Sequence, residues 1–454
     1  MDITFSETFD KVIECFREPT IESQLTQHLQ SITIIRDVLG KIRVFLEPVG
    51  ALEDTAIANL HDSLAQKLGP YYGEDIWLPE GEQDGYKALI EVITSERVRA
   101  DWDDGNKPDW YILERHIAKQ AWTNKDAGNP PWRQDSVDRG YKPAVVAFFS
   151  FKGGVGRTTA LVGTALTLAR QGHRVAIIDL DLEAPGLSTI FFSDTSDMFG
   201  VIDYLLEKQI QNSNWRLRTH LLSINDKILL GDRGETLRLL PAGTVNEQYL
   251  EKLARLDFQN LVNNQVPETL GGMLKELQAA AKALDFILLD ARAGFHDIGG
   301  LAIASLAHGA VIFGTQSRQS WAGLTHVIRR LARPQAPEPL PVLLCHAMAP
   351  GLGVPAREQE LQDFRDRAYT VFQENYYHEN DDIPNSNDPD APFWPVVLDW
   401  QSTLRREIAL FSENSSSESA RAGIVSLLTG KPYEDIAERL CQMFGRELKK
   451  EVVA

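Results

Sequence analysis

The sequence predicts an α/β fold: a mostly parallel sheet with helices on both faces, preceded by a smaller α+β N-terminal module. Three observations predict it. Beyond residue 143, apolar runs of strand length alternate with helical segments: Ala144–Phe149, Arg174–Ile178, Thr236–Leu240, Phe286–Leu289, Ala310–Gly314 and Pro341–Cys345. Runs that are apolar throughout, rather than alternately polar, mark strands buried on both faces of a parallel sheet. A glycine-rich stretch, Lys152–Thr159, joins the first run to the helix-like segment Ala160–Arg170. Between the two regions, Thr123–Lys142 is polar and carries Gly128, Asn129, Pro130, Pro131 and Gly140, a linker composition. The expected division is an N-terminal module over 1–140 and an α/β domain with a helical C-terminal extension over 141–454.

In the N-terminal module, Phe9–Phe16 and Ile21–Leu39 have helix-like spacing, with Pro19 as a break. Lys41–Glu47 reads as a strand, Ala51–Leu68 as an amphipathic helix, Ile76–Leu78 as a short strand and Tyr86–Ile93 as a helix. Trp110–Trp122 carries Trp110, Ile112, Leu113, Ile117 and Trp122 at helical spacing, and His116 within it reads as a helix-face or core residue rather than a catalytic base. Trp77, Trp102, Trp110, Trp122 and Trp132 read first as core and second as a surface for a protein partner, since tryptophan is enriched at interface anchors.

The charge balance narrows the function classes. A net charge of −18 disfavours broad DNA binding in the absence of a local basic face. Cys15, Cys345 and Cys441 stand far apart, in neither a disulfide framework nor a zinc pattern. The first residues carry no signal-peptide pattern, and no run approaches the ~18 apolar residues of a membrane span, so a soluble, cytoplasmic protein is expected. Glu379–Pro392 and Ser412–Ser419 read as exposed loops. Tyr433–Lys450 reads as a closing helix with Tyr433, Ile436, Leu440, Met443, Phe444 and Leu448 on one face. Its polar face mixes both signs of charge, which favours packing over a membrane surface.

The chemistry-bearing residues lie in three motifs. In Lys152-Gly153-Gly154-Val155-Gly156-Arg157-Thr158-Thr159, the glycines let main-chain N–H groups turn inward and the following helix N-terminus adds positive partial charge, a cradle for phosphate. Thr158 offers a hydroxyl where a P-loop places its Mg²⁺ ligand. The plain P-loop pattern asks for Gly at Phe151 and Lys at Arg157. The second motif, Arg174–Leu187, is a strand ending in Asp179 and Asp181, two carboxylates that alternation puts on one face at the sheet's carboxyl edge. The third, Asp285–Gly294, is an apolar strand ending in Asp290, with Gly294 four residues on.

Together these motifs resemble the deviant Walker A ATPases of the ParA/MinD family, within the SIMIBI class of P-loop NTPases, over roughly residues 144–350. The resemblance implies ATP and Mg²⁺ as ligands and a homodimer formed through the nucleotide. Lys152 would be the signature lysine that reaches the partner's nucleotide, and Arg157 stands at the usual P-loop lysine position. It implies that Asp179 supports the metal shell, Asp181 orients the attacking water, and Asp290 and Gly294 open switch II, with Asp290 on Mg²⁺. It further implies a slow ATPase acting as a molecular switch; the extra N-terminal module and low basicity point away from gliding on a chromosome and toward a regulatory or defence-type assembly in a bacterium. The alternatives are an ATP-dependent ligase or transferase of the same class, and a nucleotide-binding module in which Arg157 abolishes hydrolysis. Relatives often put Asn near His346 to read the base, so ATP over GTP rests on the loop type. The resemblance says nothing of residues 1–140.

Overall fold

The computed structural model describes residues 3–447 apart from 81–84, 117, 124–129, 131–142, 212–216, 257–265, 282, 334–335, 337, 406–407 and 412–417. The chain divides into two compact units, Met1–Ile117 and Ala118–Ala454. The division falls ahead of the expected boundary at 140, because Ala121 and Trp122 pack into the core of the second unit. Most of the segment read as a linker, Trp132 included, lies outside the described residues.

The first unit is built on a five-stranded sheet: β1 (Leu29–Arg36), β2 (Ile42–Pro48), β3 (Tyr72–Trp77), β4 (Val98–Arg99) and β5 (Asp109–Glu114), in the order β3-β2-β1-β5-β4. Helices Thr8–Phe16 and Asp54–Leu68 cover one face through Val12, Phe16, Leu60 and Leu64, which meet Ile32, Ile34, Val44 and Leu46. The other face packs Ile35, Phe45 and Leu113 against Ile93 of helix Tyr86–Glu96. Two helical expectations fail here. Residues 29–36 and 109–114 are strands, paired parallel in the register Ser31↔Asp109 to Arg36↔Glu114. β1 is buried on both faces along almost its whole length, so its sequence shows no period of two. His116 accordingly follows a strand and is not on a helix.

The second unit has the expected architecture: a mostly parallel sheet flanked by helices. Its strands are β6 (Ala144–Ser150), β7 (Val175–Leu180), β8 (Leu222–Ile224), β9 (Leu237–Leu240), β10 (Phe286–Ala291), β11 (Gly309–Gly314), β12 (Val342–Ala349) and β13 (Val396–Asp399). Their order is β13-β12-β11-β6-β10-β7-β9-β8, and only β8 runs antiparallel to its neighbour. Every residue of β6, β7, β10 and β11 is buried, which is why each was an apolar run in the sequence up to its carboxyl end, where Ser150, Asp179 and Asp290 stand. Helix Arg157–Arg170 lies over one face. Its Gly163 leaves no room for a Cβ: one would stand 2.6 Å from the Leu428 carbonyl oxygen and 2.8 Å from the Tyr433 ring. The C-terminal helix Lys431–Met443 buries Tyr433, Ile436 and Leu440 in this same core, joined by Phe444 just beyond it, as expected for packing. Leu448 lies outside the described residues. No helix among the described residues is long and apolar enough to cross a membrane.

Candidate nucleotide site

The sheet places the three motifs side by side. β10 lies between β6 and β7, with Asp290 opposite Phe148 on one side and Asp179 on the other. Equal register on adjacent parallel strands points both aspartates to one face at the carboxyl edge. The chain leaves β6 there through the Lys152–Gly156 turn and enters helix Arg157–Arg170. Gly154 and Gly156 have φ of +74° and +85°, a backbone that L side chains rarely adopt. Space above both is open: a Cβ on either would meet nothing within 4 Å. Gly156 caps the helix with no side-chain hydrogen bond to its first amides. The helix therefore presents its N–H groups to the space above the turn.

That space is a cavity of about 650 Å³, within the range of small-molecule sites. Gly153–Thr159, Asp181 and Arg292 line one side. Met348, Leu398, Asp399, Trp400, Gln401 and Leu404 line the other. These last residues were not singled out in the sequence. The signal was present: the run Val396–Leu398 ends in Asp399 as Phe286–Leu289 ends in Asp290. Trp400 is 44% exposed, and its amide donates to the Ala349 carbonyl at 2.8 Å, which fixes it beyond the sheet edge. Asp399 accepts from Arg357 at 2.5 Å. His346, by contrast, is absent from the lining. It is fully buried and stacked on Phe364 with ring centroids 3.9 Å apart.

Phe151, the misfit at the head of the turn, has a packing role. Its ring occupies the place where a Cβ on Gly323 would lie, and it meets Phe295 at 5.0 Å. Lys152 is exposed and has no ion-pair partner among the described residues. Arg157 behaves in the opposite way. It is 8% exposed, and its Nε donates to Asp290 Oδ1 at 2.6 Å while its Nη2 donates to Asp181 Oδ2 at 3.1 Å. Burial works against its charge, but Asp290 and Asp181 outweigh that and raise its pKa. Thr158 Oγ1 donates to Asp290 Oδ2 at 2.7 Å. Arg292 donates to Asp181 Oδ1 at 3.0 Å and pairs with Glu183 at 2.8 Å.

Asp179 faces its own main chain. Its two oxygens accept from the amides of Asp181, Gly186 and Leu187 at 3.1, 3.0 and 3.1 Å, which folds the turn after β7. Complete burial, reinforced by the charge of neighbouring Asp290, raises its pKa. Burial likewise raises that of Asp290, with Arg157 and Thr158 pulling the other way. Gly294 has φ +78° and its amide donates to the Ser150 carbonyl at 3.1 Å, tying the loop after β10 to the end of β6. The fold thus gathers every residue singled out in the three motifs at one edge.

A hydroxyl and a carboxylate converging at Thr158 and Asp290 suit Mg²⁺, which commonly takes one or two protein oxygens and fills its shell with water and phosphate. No group of three or more His, Cys, Asp or Glu suited to hold a metal by itself occurs among the described residues.

Residues 146–344 match the family model of the CobQ/CobB/MinD/ParA nucleotide-binding domain. A MinD-type septum site-determining protein of Chlorella vulgaris is 27% identical over 171 residues, 38% of this chain and 50% of that protein. The cytosolic Fe-S cluster assembly factor CFD1 of Saccharomyces cerevisiae is 33% identical over 94 residues, 20% of this chain and 31% of that protein. The chain therefore spans half or less of the length of these relatives. Among solved structures, a ParA family ATPase from Chlorobium tepidum TLS superposes with a TM-score of 0.42 at 14% identity, covering 65% of this chain and 98% of that one.

Proposed function

We propose, from a chain whose second unit carries a ParA/MinD-like P-loop nucleotide-binding domain, that this protein is an ATP-dependent switch. It binds Mg-ATP at the Lys152–Thr159 turn, hydrolyses it slowly, and passes between a nucleotide-bridged dimer and a relaxed state. The observation that carries the reading is the turn itself, with Gly154 and Gly156 in left-handed geometry, open space above them and an uncapped helix N-terminus. The triphosphate would lie against these amides, and Thr158 and Asp290 would hold Mg²⁺, which would supply charge neutralisation beside the phosphates. Asp179 supports this arrangement indirectly, by holding the turn that presents Asp181. Asp181 orients the attacking water once its arginine partners let it go. Trp400 stands where a base can stack across the cavity mouth. Lys152, exposed and without an ion-pair partner among the described residues, is the residue to reach a second subunit's phosphates.

A second reading has an observation of its own. Arg157 is turned into the acid cluster rather than toward the turn, as a module that binds without hydrolysing would keep it. The N-terminal unit supplies a protein-partner surface in either reading. Sedimentation of the full chain with a non-hydrolysable ATP analogue tests the switch: the wild type is expected to dimerise and Lys152→Ala to stay monomeric. Equal sedimentation of the two contradicts it. Phosphate release separates the readings, with slow release for the switch and none for the binding module.

A further inference from the structure

We infer that the Arg157 guanidinium is a resident counter-ion that clamps Asp181 and Asp290 together, and that it must leave them before a divalent cation can bind at Asp290 and Thr158. The geometry is side-on and divided: Nε serves Asp290 at 2.6 Å, and Nη2 serves Asp181 at 3.1 Å. The planar, forked guanidinium aims separate N–H groups at the two carboxylates, a division whose fixed geometry a lysine ammonium, a single point charge, does not reproduce. Arg292 takes the other oxygen of Asp181 at 3.0 Å, and Thr158 takes the other oxygen of Asp290 at 2.7 Å. All four carboxylate oxygens are therefore engaged. Asp290 is 1% exposed and Asp181 9%. Two buried carboxylates without a cation between them are strongly unfavourable, so whatever withdraws Arg157 must be replaced by other positive charge. Arg157 also begins its helix, so the same side chain that closes the cluster starts one residue from the open turn. Metal entry and arginine departure are one exchange. This goes beyond the switch reading and rests on it only for its consequence, that nucleotide and metal arrive together.

The test uses the full chain and Mn²⁺ without nucleotide. Free Mn²⁺ is counted by electron paramagnetic resonance, and melting is followed in the same samples. The wild type is expected to leave the ion free and to melt unchanged. Arg157→Gln is expected to take up Mn²⁺ and to melt higher in its presence, and adding Asp290→Asn should abolish both effects. Equal uptake by the wild type and Arg157→Gln overturns the inference, as does a folded Arg157→Gln that takes up none. If Arg157→Gln fails to fold, Arg157→Lys replaces it: it keeps the charge but not the bridge, so uptake above the wild type is expected and uptake equal to it refutes the clamp. Calorimetry with ATP on the same proteins separates the two failures. Absent ATP binding with the Mn²⁺ pattern intact defeats the nucleotide reading alone.

Discussion

His346 shows how burial can set the behaviour of a residue. It lies on β12 against helix Arg357–Asn375, and neither ring nitrogen has a hydrogen-bond partner among the described residues. Burial, with Arg357 and Arg365 nearby, lowers its pKa to about 4. Glu360 stands 3.6 Å from Nε2, too far for a hydrogen bond, and does not offset that burial. The folded ring stays neutral down to about pH 4, whereas the unfolded chain protonates near pH 6.5. Its contribution to stability is thus fully present above pH 6.5 and is lost as pH falls toward 4, to the extent of about 3 kcal/mol. Urea unfolding of the wild type and His346→Leu between these limits checks this. The variant should lose less stability on acidification, and parallel losses would refute the assignment. The sequence named His346 only through its place in the family pattern, and it could not say that the ring turns away from the cavity. Arg157 is the same case: its position in the loop was legible, but its direction depends on Asp181 and Asp290, which only the folded sheet brings within reach.

At the scale of elements, the site depends on how closely helix Arg157–Arg170 lies on its neighbours. Gly163 is where that helix meets the Leu428 carbonyl and the Tyr433 ring. Gly163→Ala should destabilise the protein by about 2 kcal/mol through overpacking, although alanine is the better helix former. Calorimetric melting checks the sign, and an unchanged or higher melting temperature would contradict the packing. Strands of the second unit were legible because burial on both faces keeps them apolar until the carboxyl edge, where Ser150 and Asp290 stand. The same physics hid β1, where an apolar run between two layers has the composition of a buried helix. β8, three residues long, and β13, four, are too short for any periodicity.

At the scale of the molecule, the two units have separate cores: Val12, Phe16, Ile32 and Leu60 belong to one, and Phe148, Leu161, Ile177 and Leu288 to another. Residues 1–117 expressed alone should therefore fold, with a cooperative melt by circular dichroism, and a non-cooperative trace would contradict an independent unit. The motifs of the second unit span residues 152–294, yet one sheet edge unites them, and that convergence is what makes a nucleotide site there. Isothermal titration calorimetry of the full chain with ATP and Mg²⁺ tests it most directly. Saturable binding that Thr158→Ala and Asp290→Asn weaken is expected, with ATP preferred to GTP. Absence of heat with either nucleotide, together with an unchanged melting temperature, would contradict it.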